Sequence, residues 1–140
     1  MGLLFCVCLN TNMLPLEIIV QEMRNLSDSS EVTEYIFSLG EELKTDNSIR
    51  KDRANYVRRC QSQLWVSASV DTAVVKLKFD SDSKYSLGIC AVLNQALEGQ
   101  TKKKVLETGI KSFADFMQFL PAPRQRGMQA TLNLIQSQIR

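Results

Sequence analysis

Leu64-Trp65-Val66-Ser67-Ala68-Ser69-Val70-Asp71-Thr72-Ala73-Val74-Val75-Lys76-Leu77-Lys78-Phe79 decides the fold class. Leu64, Val66, Ala68 and Val70 alternate with Trp65, Ser67 and Ser69, and Val75, Leu77 and Phe79 alternate with Lys76 and Lys78. A period of two sorts each set onto its own face of a strand, and Asp71-Thr72 is a plausible tight turn between the runs. The stretch predicts an antiparallel hairpin around residues 63–80. Its apolar face needs covering, because an isolated hairpin is marginal in water.

On both sides the period lengthens to that of a helix. Upstream, Pro15 suits a first helical turn, and Leu16, Ile19, Val20, Met23 and Leu26 follow at helical spacing. The cluster Ser27-Asp28-Ser29-Ser30 ends that helix. Ser30 then caps a second, with Val32, Tyr35, Ile36, Leu39 and Leu43 as its stripe. Gly40 interrupts this stripe, which points to close packing against a neighbour. Lys44 to Arg53 has no periodicity and reads as a loop. Downstream, Asp80-Ser81-Asp82-Ser83 opens a strongly apolar helix through Ile89, Val92 and Leu93, which Gly99 stops. A short helix starts at Lys102-Lys103-Lys104. Ser112 with Asp115 resembles a capping box, Pro121-Ala122-Pro123 breaks the chain, and a last helix carries Met128, Leu132, Ile135 and Ile139. Helices, a small antiparallel sheet and then helices packed on it make an α+β domain over residues 14–140. Residues 1–13 read as a poorly ordered or weakly packed leader, since no Lys or Arg precedes Arg24 to build a secretory signal.

Composition narrows the chemistry. The 140 residues fit one domain, and 17 Lys+Arg against 15 Asp+Glu leave a net charge of +2, too small to announce nucleic-acid binding. There is no histidine, which removes most catalytic triads, Cys–His peptidases, His-bearing zinc sites and imidazole acid–base chemistry. Cys6, Cys8, Cys60 and Cys90 are too sparse for a disulfide framework and lack the paired knuckles of a zinc site, so the thiols are expected free and the protein cytoplasmic, with no metal. No stretch approaches the length of a membrane-spanning helix.

One cysteine stands apart. In Val57-Arg58-Arg59-Cys60-Gln61-Ser62-Gln63-Leu64-Trp65 the thiol sits where a polar loop meets a strand, directly after two cations. Thiol reactivity follows the thiolate fraction, and Arg58 and Arg59 would favour the anion. Gln61 and Ser62 are candidates to fix the loop by hydrogen bonds. Asp80 and Asp82 either cap the following helix, or one of them pairs with the arginines or helps hold the loop closed. Arg124 either orients the Cys60 loop, contacts a partner, or is solvated. A thiol peroxidase or thiol–disulfide exchanger would use Cys60 with Cys90, the only plausible resolving thiol within the fold.

The string Asn55-x-Val57-x-x-Cys60-Gln61-Ser62-Gln63-Leu64-Trp65 resembles the signature of the SufE family, sulfur acceptors of iron–sulfur cluster assembly. Tyr35-Ile36-x-x-Leu39-Gly40, Asp80-Ser81-Asp82 followed by Gly88, and Arg124 with Gly127 and Met128 resemble further family motifs, in the expected order. The resemblance spans about residues 14–140. It departs at Arg59, where the family commonly has Gly, and at the more polar Ser83-Lys84-Tyr85. It implies a sulfur carrier and desulfurase activator rather than an enzyme. Cys60 is then the nucleophile that takes a persulfide sulfur from a cysteine desulfurase and passes it to an Fe–S scaffold complex. Pyridoxal phosphate belongs to that partner, and the carrier itself needs no cofactor, nucleic acid or membrane. The resemblance also implies a loop that shelters Cys60 under apolar cover and swings outward at the partner.

Overall fold

The hairpin forms where alternation predicts it. In the computed structural model, which describes residues 15–140, β1 (Leu64–Asp71) pairs antiparallel with β2 (Val74–Ser81), with Leu64 opposite Ser81 and Val70 opposite Val75. The turn lies one residue later than expected. Thr72 and Ala73 occupy it with φ of 48° and 72°, while Asp71 ends β1. Two left-handed residues match the right-handed strand twist, which fixes the turn despite the cost to a Cβ-bearing residue. Val66, Ala68, Val75 and Phe79 are buried as the pattern requires. Val70 is not: at 43% exposure it projects near the hairpin tip, past the covering helices.

Both hairpin edges are extended by short pairings. The Val57 amide donates to the Leu64 carbonyl (2.9 Å) and the Val66 amide to the Asn55 carbonyl (2.8 Å), so Asn55–Val57 lies along the start of β1. On the other side the Val75 amide donates to Gln100 and the Gly99 amide to Val75, each at 2.8 Å.

Helices α1 (Leu16–Arg24) and α2 (Ser29–Glu41) precede the hairpin. After it come α3 (Lys84–Leu97), α4 (Lys102–Glu107), a 3₁₀ turn (Ile110–Phe113), α5 (Ala114–Met117) and α6 (Ala122–Ile139). Three predicted boundaries shift. Asp28, not Ser30, caps α2, its carboxylate accepting from the Glu31 amide, because the helix already begins at Ser29. Ser112 caps nothing and falls inside the 3₁₀ turn. The Pro121-Ala122-Pro123 run opens α6 rather than only breaking the chain, since proline is tolerated in a first helical turn.

The core is a single cluster in which α3 packs on β2 and α2, and α6 packs on β1. At the α2–α3 crossing two glycines meet. A methyl group on Gly88 would fall 2.2 Å from the Ile36 carbonyl oxygen, and one on Gly40 2.8 Å from the Gly88 nitrogen. The close approach anticipated at Gly40 is therefore real, and it sets where the first turn of α3 lies. Among the described residues no helix is long and apolar enough to cross a membrane. The leader predicted over residues 1–13 lies outside the described residues.

Candidate functional site

Cys60 sits in the connection Arg58–Gln63, whose neck is closed by the Val57–Leu64 hydrogen bond. The strand-side half of this connection is anchored. The Ser81 hydroxyl donates to the Gln63 carbonyl (2.5 Å), and Arg124 Nη1 donates to Ser62 Oγ (3.2 Å). Arg58 and Arg59 form a turn, and no backbone hydrogen bond ties Arg58–Gln61 to another element among the described residues. The loop tip is held instead by its sulfur.

Cys60 Sγ is half-buried and points inward, 3.5 Å from Ser86 Oγ. Ser86 belongs to the first turn of α3, which Ser83 fixes by capping the Ser86 amide. At 1% exposure the Ser86 hydroxyl has two polar neighbours among the described residues, Cys60 Sγ and Arg124 Nη1, both at 3.5 Å. A guanidinium only donates, so Ser86 Oγ accepts from Arg124 and its own proton is free to point at the sulfur. Arg124, in the first turn of α6, lies over the Tyr85 ring, with Cζ 4.4 Å from the centroid, which holds it half-buried against the loop. Gly127, one helical turn on, faces the cysteine from the other side. A methyl group placed there would sit 3.6 Å from both Sγ and Cα of Cys60. Leu64, Ile89, Pro123 and Thr131, with Gln61 at the rim, complete the lining, and the space left beside the sulfur is about 10 Å³. The groups facing Sγ are thus a hydroxyl donor backed by a cation, the positive end of α3, and apolar walls.

Several predicted site residues lie elsewhere. Arg58 and Arg59 are exposed and turn away from the sulfur into a separate groove. The cation beside the sulfur pocket is Arg124, brought by the fold from far along the chain. Arg59, where the family commonly has Gly, needs no left-handed backbone; among the described non-glycine residues only Thr72 and Ala73 do. Asp80 does not pair with the arginines. It binds Lys51 (2.7 Å), whose ammonium also lies over the Trp65 ring. Asp82 is exposed and neither caps α3, a role Ser83 takes, nor reaches the loop. Gln61 is exposed at the pocket rim. Ser86 escaped the sequence reading: a small polar residue in an apolar helix carries little signal until the neighbouring loop is in place.

Cys90 also lies on α3, fully buried. Burial, and secondarily the charge of Cys60, hold its thiol well above the ordinary value. It is unbridged, as is Cys60. Among the described residues no group of His, Cys, Asp and Glu is placed to hold a metal ion.

Comparison with known proteins gives the family and the fold. The model of the SufE family, an Fe-S metabolism associated domain, matches residues 17–139. The chain belongs to the SufE family. This SufE domain is 30% identical over 93 residues to a chloroplastic quinolinate synthase of Nicotiana tabacum, an alignment covering 65% of the chain but 13% of that protein. It is 29% identical over 89 residues to a SufE-like protein of Synechocystis, covering 64% of the chain and 56% of the relative. The chain thus spans only part of the relatives it matches. A hypothetical protein of Thermus thermophilus, solved in solution, shares the SufE fold here with a TM-score of 0.70, over 90% of this chain and 95% of that one, at 21% identity.

Proposed function

We propose that this SufE domain accepts sulfur on Cys60 from the persulfide of a cysteine desulfurase and hands it on to an Fe–S assembly scaffold. The observation that carries the reading is the Cys60 loop itself: a thiol on a turn that no backbone bond ties to another element among the described residues, tucked against Ser86, Arg124 and Gly127. In the transfer the Cys60 thiolate attacks the outer sulfur of the donor's cysteine persulfide. A new S–S bond forms at Cys60, the donor's S–S bond breaks, and the donor cysteine leaves as a thiolate. Electrons and atoms balance without an external oxidant, and no histidine base is needed. Pyridoxal phosphate chemistry stays with the desulfurase. Swinging outward, the loop would present the sulfur to that partner, and folding back would shield the loaded sulfur from oxidants.

A thiol peroxidase or disulfide exchanger is disfavoured by Cys90. A resolving thiol must ionise and reach its partner, and Cys90 is fully buried with its proton held tightly. The test is mass spectrometry after incubation with a desulfurase and free cysteine. The peptide holding Cys60 should gain the mass of one sulfur atom, and Cys60→Ser should gain none while keeping the parent's circular dichroism. Sulfur on Cys90, or on neither, would reject the proposal.

A further inference from the structure

Beside the Cys60 loop, and separate from its pocket, runs a groove of about 830 Å³ between the Arg53–Arg59 segment and α6. Four guanidiniums line it: Arg53, Arg58 and Arg59 from the loop side and Arg126 from the helix. No Asp or Glu is among its lining residues. None of the four arginines forms an ion pair among the described residues, whereas Arg24, Arg50, Lys51, Lys76 and Lys78 all do. In a chain of net charge +2, this gathers uncompensated positive charge into one concavity. Like charges lining one groove make its potential positive, which favours an anionic occupant and steers its approach.

The groove abuts the sulfur site on two elements. Arg59 adjoins Cys60, and Arg126 adjoins Gly127, whose face meets the sulfur. We propose that this groove docks an acidic segment of the protein that delivers sulfur to Cys60, a proposal that rests on the sulfur-acceptor reading above. Residues 1–14 of the chain contain no Asp or Glu, so they do not supply the charge. The floor favours a polypeptide over a nucleic acid. It alternates carboxamides with aliphatic groups along α6, through Gln129, Ala130, Asn133 and Leu134. Its one aromatic, Tyr56, packs on Trp65 at 4.7 Å between centroids, so the groove lacks the row of rings on which successive bases stack.

The probe is a short fluorescein-labelled peptide of alternating Glu and Leu, titrated against the full chain. It should bind, weaken as salt is raised, and bind at least about tenfold more weakly to the Arg53→Gln/Arg126→Gln variant, because charge-assisted contacts are lost. Equal binding by parent and variant overturns the proposal. So does equal binding of a Lys/Leu peptide, tighter binding of a single-stranded oligonucleotide, or self-association of the chain that accounts for the signal. A second measurement separates docking from chemistry. Sodium polysulfide should load Cys60 equally fast in parent and variant. A desulfurase at subsaturating concentration should load the variant several-fold more slowly, with the rate recovered near saturation. Equal loading of both by the desulfurase overturns the docking role. Loading of neither rejects the sulfur-acceptor reading, while the peptide titration still decides whether the groove takes an acidic chain.

Discussion

At the scale of single residues the site turns on Gly127. Its missing side chain leaves the space that Cys60 faces, yet its backbone is ordinary helix, so alanine is sterically admissible there. The added methyl group would make van der Waals contact at 3.6 Å with Cys60 Sγ and Cα and 3.9 Å with the Arg59 carbonyl oxygen. Replacing glycine by alanine in a helix interior gains about 1 kcal/mol. Gly127→Ala should therefore raise the melting temperature of the unloaded protein by a few degrees. The methyl also fills the roughly 10 Å³ beside the sulfur, where a loaded outer sulfur would sit when the loop is folded back. If Cys60 carries sulfur as proposed, the loaded variant should lose it to dithiothreitol several-fold faster than the parent. A variant that is more stable and retains sulfur equally well would show that this space does not shelter it.

At the scale of elements, the crossing of α2 and α3 positions the site. Gly88→Ala would put a methyl group 2.2 Å from the Ile36 carbonyl oxygen and 2.5 Å from an Ile36 side-chain carbon. Backbone cannot yield as a flexible side chain can, so the helices must part. We expect a loss of about 3 kcal/mol, at the upper end of overpacking costs, measured by urea denaturation. Ser86 is two residues away, so Cys60 should also become more accessible to alkylation. A variant with parental stability would mean the crossing is softer than this geometry allows. Gly40 hinted at this contact from sequence because it broke an apolar stripe, but its partner was not legible, since helical periodicity says nothing about which helices meet. The same limit explains the arginines. Adjacency in sequence put Arg58 and Arg59 beside Cys60, yet consecutive loop residues turn to different sides, and it was the packing of α6 on β1 that brought Arg124 to the pocket. The hairpin and the core faces were legible because each is written in local pattern, and the sequence placed Cys60 correctly where a loop meets β1. Ser86 was not, because a serine gains its meaning from a sulfur arriving from another element.

At the scale of the whole molecule, the absence of histidine gives stability a distinctive pH profile. Between the carboxylate and thiol ranges no side chain of ordinary pKa titrates, so the melting temperature should be nearly flat there. The alkaline limb is set first by Cys90. Burial raises its folded pKa well above that of the unfolded chain, so its stabilising contribution is complete below the ordinary thiol range. As pH rises through that range the unfolded chain loses the proton and the folded chain keeps it. Stability then falls by about 1.4 kcal/mol per pH unit for that proton. Tyr35 adds to the decline at higher pH, its hydroxyl raised by burial and by its bond to Glu22, as does Tyr85, raised by burial against the opposing pull of Arg124. On the acid side, Asp46 is held below its usual range by its bonds to Ser48, so its contribution disappears as pH falls through the carboxylate range. Calorimetry across pH should show this plateau with two falling limbs. Cys90→Ala should lower the plateau, by about 1 kcal/mol for the lost packing, and delay the onset of the alkaline limb to the tyrosine range. An alkaline limb that begins at the same pH in parent and variant would mean that Cys90 ionises as readily folded as unfolded, which its full burial beside Cys60 does not allow.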